Sequence, residues 1–165
     1  MDLLPHLEFT TGADPIGTVI WMHGLGDSGW GHLTVVNALG QALPAPIRYI
    51  LPPAPVRSVT INNGAQMPAW YDIAMNDIAR LPDEGGIRQS QAAVQQLIAR
   101  EGDRGVDPDH IVVAGFSQGA AIALQVGLRH PERLAGVVAL SGYLTLEDSL
   151  AREGSAANKA TPILM

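Results

Sequence analysis

The sequence predicts one α/β domain in which helices cover both faces of a mostly parallel, doubly wound sheet. Short apolar runs rich in β-branched residues begin at Thr18, Ile47, His110 and Leu134, and such runs are typical of strands buried on both faces. Most of these runs are separated by segments of helical spacing, and this alternation favours parallel strands joined by crossovers. The 165 residues, 47% of them hydrophobic, suit a single domain over residues 1–165 with a substantial core.

The first third of the chain supplies three predicted strands. Residues 7–10 alternate in polarity and predict an edge strand, whereas residues 18–22 form a continuous apolar run that predicts a central strand. A helix is predicted over residues 30–43. Its apolar face is predicted from the residues that recur at helical spacing, namely Leu33, Val36, and Leu39 or Ala42. Residues 47–51 predict the next strand.

Residues 54–72 follow two prolines, have no helical period and contain Asn62-Asn63-Gly64, which is typical of a turn. A segment this long without a helix is uncommon unless it is functional, so we interpret it as an ordered excursion near the site. A helix is then predicted over residues 84–101 and another after Gly119, ending near His130. Residues 134–140 and 161–165 predict the last two strands.

Composition limits the classes of partner. The chain has 16 acidic and 10 basic residues, a net charge of −6, and no basic cluster, which argues against nucleic acid or an anionic membrane. It has no cysteine, so disulfides, thiolate metal sites and a cysteine nucleophile are absent. Residues 1–6 lack the features of a signal peptide, and no apolar run approaches transmembrane length. We therefore expect a cytoplasmic protein, without integral membrane association, that acts on a small or neutral molecule.

The pentapeptide Gly115-Phe116-Ser117-Gln118-Gly119 lies between a predicted strand and a predicted helix. A serine at the tip of such a turn has a strained backbone, and the glycines two residues before and after it leave room for the chain. This geometry lifts the hydroxyl above the sheet and directs the Gln118 N–H towards any oxyanion that forms. The context favours Ser117 as a nucleophile, and the alternative is a glycine-rich connection without chemistry.

The loop Gly24–Gly29 fits two functions. It matches the G-x-G-x-x-G pattern of dinucleotide sites, but no acidic residue for the ribose lies between Asp27 and Asp72, and the Asp27 carboxylate would repel a pyrophosphate. In a hydrolase the same loop would supply a second oxyanion N–H, with Leu25 as the donor. We expect His23 to be structural, because the triad histidine of α/β-hydrolases follows the nucleophile.

Three motifs in this order resemble the phospholipase/carboxylesterase family of small α/β-hydrolases, which includes bacterial carboxylesterases and the acyl-protein thioesterases. They are the segments Trp21–Gly29, Leu51–Asp72 and Gly115–Ala120, and the resemblance covers nearly the whole chain. The resemblance implies an α/β-hydrolase fold, Ser117 as the nucleophile, and Leu25 and Gln118 as the oxyanion N–H donors. It also implies hydrolysis of small acyl esters or thioesters without a metal or other cofactor.

The chain departs from this pattern at its C-terminal end. Family members continue past the strand predicted at residues 161–165 into segments that carry the triad aspartate and histidine. After Ser117 the only histidine is His130, which we expect to end a helix before Pro131. We therefore expect a C-terminally incomplete domain that is impaired or inactive alone. The missing segment is explained by truncation, by proteolysis, or by a partner chain that supplies it. Its exposed last strand favours a homodimer or strand exchange.

The substrate pocket is expected to be lined by some of five residues, with core packing as the alternative for the aromatic ones. These residues are Leu25, Trp30, Met67, Trp70 and Tyr71. Asp72 is expected to fix its own loop, because the triad acid follows the serine. A non-catalytic relative that binds an acyl ligand or a partner is the second functional hypothesis, and a nucleotide-binding domain is the third.

Overall fold

The computed structural model describes residues 3–75 and 80–165, which contain ten strands and four α-helices numbered along the chain. The strands are β1 (Leu7–Thr10), β2 (Thr18–Met22), β3 (Arg48–Leu51), β4 (Val56–Val59), β5 (Ala65–Pro68), β6 (Ile73–Met75), β7 (Arg80–Pro82), β8 (Ile111–Phe116), β9 (Gly136–Leu140) and β10 (Ile163–Leu164). The helices are α1 (Leu33–Ala42), α2 (Glu84–Asp103), α3 (Gln118–Gly127) and α4 (Glu147–Glu153).

Six strands form the main sheet in the order β1-β3-β2-β8-β9-β10. β1 lies at one edge and is antiparallel to β3, and all the other neighbours in this sheet are parallel. The predicted edge strand and the mostly parallel sheet are therefore confirmed. The chain crosses from β3 back over β2 to β8, so the order of the strands reverses between β2 and β8.

The two faces of the sheet have separate cores, which confirms the doubly wound arrangement. Alternate residues of β2 show the division, since Trp21 packs in the cluster with Val36 of α1, whereas Ile20 packs with α2 and α3. The cluster under α2 and α3 is the larger of the two. Because successive side chains of a strand point to opposite faces, β2 is buried on both sides, as its continuous apolar run predicts.

Helix α1 differs from its prediction in length and in the face it buries. A 3-10 helix spans Gly29–His32, and α1 itself then begins at Leu33. Val36 and Gly40 are buried, whereas Leu39 is 45% exposed and Ala42 is also exposed. A Cβ atom on Gly40 would overlap the Thr11 side chain, so at this glycine the helix packs closely against the residue that follows β1. The prediction based on Leu39 or Ala42 is therefore wrong.

The excursion predicted over residues 54–72 contains the β4–β5 hairpin, which packs beside the carboxyl end of the sheet. Asn63 and Gly64 both have positive φ, of 55° and 76°, as the predicted turn requires. The Asp72 carboxylate accepts hydrogen bonds from the hydroxyl and the backbone N–H of Thr60, at 2.6 Å and 2.7 Å. These bonds lower the pKa of Asp72, so Asp72 fixes its own loop, as expected.

A cluster of charges joins β1, β3 and α2 near the amino ends of the parallel strands, and we call it the basal charge cluster. Glu101 of α2 is fully buried and accepts hydrogen bonds from Thr18 Oγ1 at 2.7 Å and Arg48 Nη1 at 2.7 Å. Arg104 bonds both Glu101 and Glu8 of β1, at 3.0 Å and 2.8 Å. Its hydrogen bond to Glu8, together with that of Arg100, lowers the pKa of Glu8 to about 2.

Candidate active site

Ser117 lies between the end of β8 and the start of α3, with φ 53° and ψ −115°. This backbone conformation is costly for a residue with a side chain, by about 1–3 kcal/mol, and persists only where neighbouring contacts enforce it. Two such contacts are present. The Ser117 N–H donates to the Leu140 carbonyl of β9 at 2.8 Å, and the Ser117 carbonyl accepts from the Ala121 N–H at 3.1 Å.

The two glycines of the pentapeptide are sites of close backbone approach. A Cβ atom on Gly115 would overlap the backbone of Gly119, and one on Gly119 would overlap the carbonyl oxygens of Met22 and His23. The strand and the helix on either side of Ser117 therefore approach each other, and the end of β2, more closely than side chains allow. This is the steric requirement that the G-x-S-x-G pattern predicts.

The glycine loop and the serine lie side by side because β2 and β8 are parallel neighbours. Met22 pairs with Gly115, so the chain leaves both strands at the same edge of the sheet, where the strand order reverses. Such reversal points are the usual ligand sites of open α/β sheets. A Cβ atom on Gly24 would lie 3.6 Å from Ser117 Cβ, which places the loop against the serine.

A tight turn presents the backbone of Leu25 at this edge. The turn is closed by a hydrogen bond of 3.3 Å from the Asp27 N–H to the Gly24 carbonyl, and Gly26 at its third position has φ 74°. A positive φ at that position is the requirement of a type II turn. The Gly26 N–H donates to the Pro68 carbonyl at 2.8 Å, so β5 supports the turn. We call residues 24–27 the oxyanion turn.

Two backbone N–H groups remain available beside Ser117. Gln118 is the first residue of α3, so its N–H has no acceptor within the helix. Within the described residues, neither the Gln118 N–H nor the Leu25 N–H donates a hydrogen bond. A helix N-terminus and a tight turn can together bind an anion, so this arrangement can stabilise negative charge on an oxygen bonded near the serine.

Both ring nitrogens of His23 are occupied, which makes the residue structural. Its Nδ1–H donates to the Gly24 carbonyl at 2.7 Å, and its Nε2 accepts from the Ala54 N–H at 2.8 Å. The ring is fully buried, and burial lowers the pKa of His23, so the neutral form is favoured. His23 therefore connects β2 with the chain that follows β3 and has no lone pair free to accept a proton from Ser117.

The structure corrects the prediction that Trp70 lines the pocket. The Trp70 side chain is fully buried, and its Nε1–H donates to the His23 carbonyl at 2.9 Å. A buried indole requires such an acceptor, and here the acceptor lies in the core beneath the oxyanion turn. Trp70 therefore supports the site from below and does not present a surface to a substrate.

The Gln118 side chain fastens the same segment to the serine turn. Its Oε1 accepts from the Trp70 N–H at 2.8 Å, and its Nε2 donates to the Tyr71 carbonyl at 2.7 Å. The side chain is buried, so these bonds are formed out of contact with solvent. Sequence reasoning assigned only the backbone N–H of Gln118 to the site and did not predict this second role.

The other predicted lining residues lie at different depths. Trp30 is 68% exposed, and Met67 is half-buried, its Sδ 3.7 Å from the position that a Cβ would occupy on Gly26. Tyr71 is nearly buried and shares a hydrogen bond of 2.6 Å between its hydroxyl and that of Tyr143. The two tyrosines line a cavity of about 630 Å³ between α2 and α4, and Ser117 is not among its lining residues.

Tyr143, Asp27 and His32 lie near the site but were not predicted as parts of it. A Cβ atom on Gly142, next to Tyr143, would lie 2.6 Å from Ala120 Cβ, so the chain after β9 packs against the start of α3. The position of Tyr143 in the sequence is the signal that could have indicated it, since Tyr143 follows β9, the strand next to β8. The sequence indicates Asp27 only as a carboxylate that would repel a pyrophosphate, and it carries no signal for His32.

One group of side chains in the described residues could share a cation, namely Asp107, Asp109 and His110. All three are exposed and precede β8, at the opposite end of that strand from Ser117. In the same described part of the chain, no helix is both long and apolar enough to cross a bilayer.

The chain is similar to known proteins over most of its length. A family model described as Phospholipase/Carboxylesterase matches residues 10–165. The chain is 42% identical to the acyl-protein thioesterase 1 of Schizosaccharomyces pombe over 148 residues, and the match covers 90% of this chain and 65% of that protein. It is 36% identical to the acyl-protein thioesterase 1 of Yarrowia lipolytica, covering 98% of this chain and 72% of the relative. The chain thus spans about two thirds of the length of these relatives.

Solved structures give the same result for the fold. Arabidopsis thaliana SOBER1 superposes with a TM-score of 0.78 at 29% identity, over 89% of this chain and 71% of that protein. Zea mays acyl-protein thioesterase 2 superposes with a TM-score of 0.69 at 30% identity, over 89% of this chain and 66% of that protein.

Proposed function

Because this chain belongs to the phospholipase/carboxylesterase family of α/β-hydrolases, we propose that Ser117 is the nucleophile of a serine hydrolase that cleaves small acyl esters or thioesters. The observation that carries the proposal is the position of Ser117, strained at the head of α3 and beside two N–H groups that donate no hydrogen bond within the described residues. We further propose that residues 1–165 belong to one such domain. A module that only binds a ligand has no need of the strained serine, so that alternative is less favoured.

In the proposed reaction Ser117 Oγ attacks the acyl carbon while a general base accepts its proton. The carbonyl oxygen becomes an oxyanion that accepts hydrogen bonds from the N–H groups of Leu25 and Gln118. Collapse of this intermediate breaks the bond to the alcohol or thiol, which leaves with the proton. Water then attacks the acyl-enzyme, which releases the carboxylic acid and regenerates the Ser117 hydroxyl.

Within the described residues, neither His23 nor His130 is placed to act as the general base of this reaction. His23 is committed to two hydrogen bonds. His130 lies beyond the far end of α3, a helix of 10 residues and therefore about 15 Å long. We propose that the triad acid and base are supplied from outside these 165 residues, and that this stretch alone forms the acyl-enzyme slowly.

Labelling with a fluorophosphonate tests the nucleophile and the oxyanion donors together. We expect a single adduct that maps to Ser117 by peptide mass spectrometry. Leu25→Pro removes the proposed N–H donor at a turn position that proline tolerates, so we expect labelling about 10²- to 10³-fold slower. Leu25→Ala keeps the N–H and should lose much less. A folded protein that forms no adduct would favour the binding module, and equal rates for the two variants would exclude Leu25 as a donor.

The relatives point to a class of substrate. Three of the similar proteins reported above are named acyl-protein thioesterases, so we propose a thioester-linked acyl group as the preferred substrate. The cavity beside Tyr71 and Tyr143 is large enough for part of an acyl chain. The test is a matched pair, an oxygen ester and a thioester of the same acyl chain, compared by kcat/KM. We also propose that the protein acts in the cytoplasm.

The outer edge of the sheet supports a proposal about assembly. β10 is the last strand of the main sheet, and Ile163 and Leu164 are 42% and 61% exposed. An open apolar strand edge can pair with the same edge of another molecule. We propose that the 165-residue chain self-associates through β10 as a homodimer or by strand exchange. Light scattering should show a mass that rises with concentration, and a monomer throughout would contradict this proposal.

A further inference from the structure

We propose that Asp27 and His32 form a pair that holds the oxyanion turn, so that His32 is a positioning residue for the reaction at Ser117. The inference rests on the proposed function. Asp27 closes the turn through its N–H, which donates to the Gly24 carbonyl at 3.3 Å. Leu25 is the second residue of this turn, so the position of Asp27 helps to set the direction of the Leu25 N–H.

The Asp27 carboxylate is held by the loop that follows the turn. Oδ1 accepts a hydrogen bond from the Ser28 N–H at 2.7 Å, and Oδ2 lies 3.1 Å from His32 Nε2. A Cβ atom on Gly31 would overlap Oδ1, so the loop wraps closely around the carboxylate. The contact with His32 is close but lacks the alignment of a hydrogen bond.

The His32 ring connects the turn to the segment that carries the serine. Its centroid lies 5.9 Å from the ring centroid of Trp21 in β2 and 6.1 Å from that of Phe116, the residue before Ser117. The His32 side chain is 11% exposed and that of Asp27 is 45% exposed, so the pair is partly shielded from solvent. His32 thus contacts both sources of the proposed oxyanion N–H groups, through Asp27 on one side and Phe116 on the other.

Electrostatics gives the pair a function beyond packing. Asp27 carries a negative charge two residues from Leu25, and a free carboxylate there would oppose the developing oxyanion. The Ser28 N–H donates to one carboxylate oxygen and His32 Nε2 lies beside the other, which holds the carboxylate within the loop. The other titratable group nearby, His23, is kept neutral by burial, which lowers its pKa. His32 is therefore the side chain that faces this carboxylate.

Two substitutions separate positioning from packing, and both are made in the full-length protein. His32→Phe keeps a ring between Trp21 and Phe116 but places no ring nitrogen beside Asp27, whereas His32→Gln keeps a polar side chain there. We expect His32→Phe to lower kcat about 10- to 100-fold with KM unchanged, because a misplacement of about 1 Å can cost up to about a hundredfold. A boronic acid that forms a bond with Ser117 should bind the His32→Phe variant more weakly than the unchanged protein, by a similar factor. His32→Gln should recover most of both losses.

Equal kinetics for His32→Phe and the unchanged protein would overturn the inference, and so would equal losses in the two variants. Thermal unfolding confirms that both variants are folded. Failure of the proposed function has a different signature, since the unchanged protein would then form no fluorophosphonate adduct at Ser117. If the unchanged protein is labelled and His32→Phe is labelled at the same rate, only the role of the Asp27–His32 pair is refuted.

Discussion

Replacing Ser117 by alanine is expected to lower kcat for ester or thioester hydrolysis about a million-fold in the full-length protein. The substitution removes the atom that forms the acyl-enzyme and leaves the backbone N–H groups of Leu25 and Gln118 in place. What remains is the stabilisation that binding and the oxyanion donors give to attack by water. Steady-state hydrolysis of a small thioester, with the free thiol titrated continuously, measures the loss.

Ser141→Ala is the matched control. Ser141 follows the neighbouring strand β9 and also has a positive φ, of 57°, but it lies outside the oxyanion turn and α3. It should retain activity close to that of the unchanged protein, and fluorophosphonate labelling should remain. The Ser117→Ala protein is prepared separately, so that traces of unchanged protein do not contaminate it. If it then keeps more than a trace of activity, the nucleophile is another residue.

Glu101→Gln is expected to lower the free energy of unfolding by about 3–5 kcal/mol. Glu101 is fully buried in the basal charge cluster, where it lies 2.7 Å from Arg48 and 3.0 Å from Arg104. Glutamine keeps the shape and the hydrogen bond with Thr18 but removes the negative charge. Two partly buried guanidinium groups then lose a counter-ion, and the cost of removing them from water is no longer offset. Urea denaturation followed by circular dichroism gives the change.

The control for this prediction lies on the same helix. Glu84 at the start of α2 pairs with Arg88 at 2.7 Å, but the side chains are 62% and 39% exposed. Exposed pairs contribute little, so Glu84→Gln should cost less than about 1 kcal/mol. If Glu101→Gln and Glu84→Gln lower the free energy of unfolding by the same small amount, Glu101 does not stabilise the fold through the basal charge cluster. Glu8 alone would then balance the charges of Arg48 and Arg104.

The main sheet could be predicted because its central strands are buried on both faces. The apolar runs that became β2 and β8 are short and rich in β-branched residues, which is typical of strands buried on both faces. The buried face of α1 could not be predicted in the same way. Gly40 has no side chain and so adds nothing to an apolar pattern, yet its lack of a Cβ atom leaves room for the Thr11 side chain just after β1. Apolar periodicity detects side chains that fill space and misses positions where space is absent.

The candidate site divides in a similar way. Ser117 and the oxyanion turn were predictable because their glycines follow from backbone sterics, which act locally. Trp70 was placed in the pocket because an aromatic residue near a site can belong to its wall or to the core beneath it. The choice depends on an acceptor for its N–H, and here that acceptor is His23. The contacts of His32 and Tyr143 arise only when separate segments fold together.

The Gln118 side chain has a consequence for protein engineering. It bonds the backbone at Trp70 and Tyr71, whereas its own N–H belongs to the serine turn. A transplanted β5–β6 segment with a different path would displace the Gln118 side chain and, with it, the head of α3. Residues 67–72 and the serine turn therefore form one module. Recombination between related enzymes should place its crossover points outside this module, so that both parts come from the same parent.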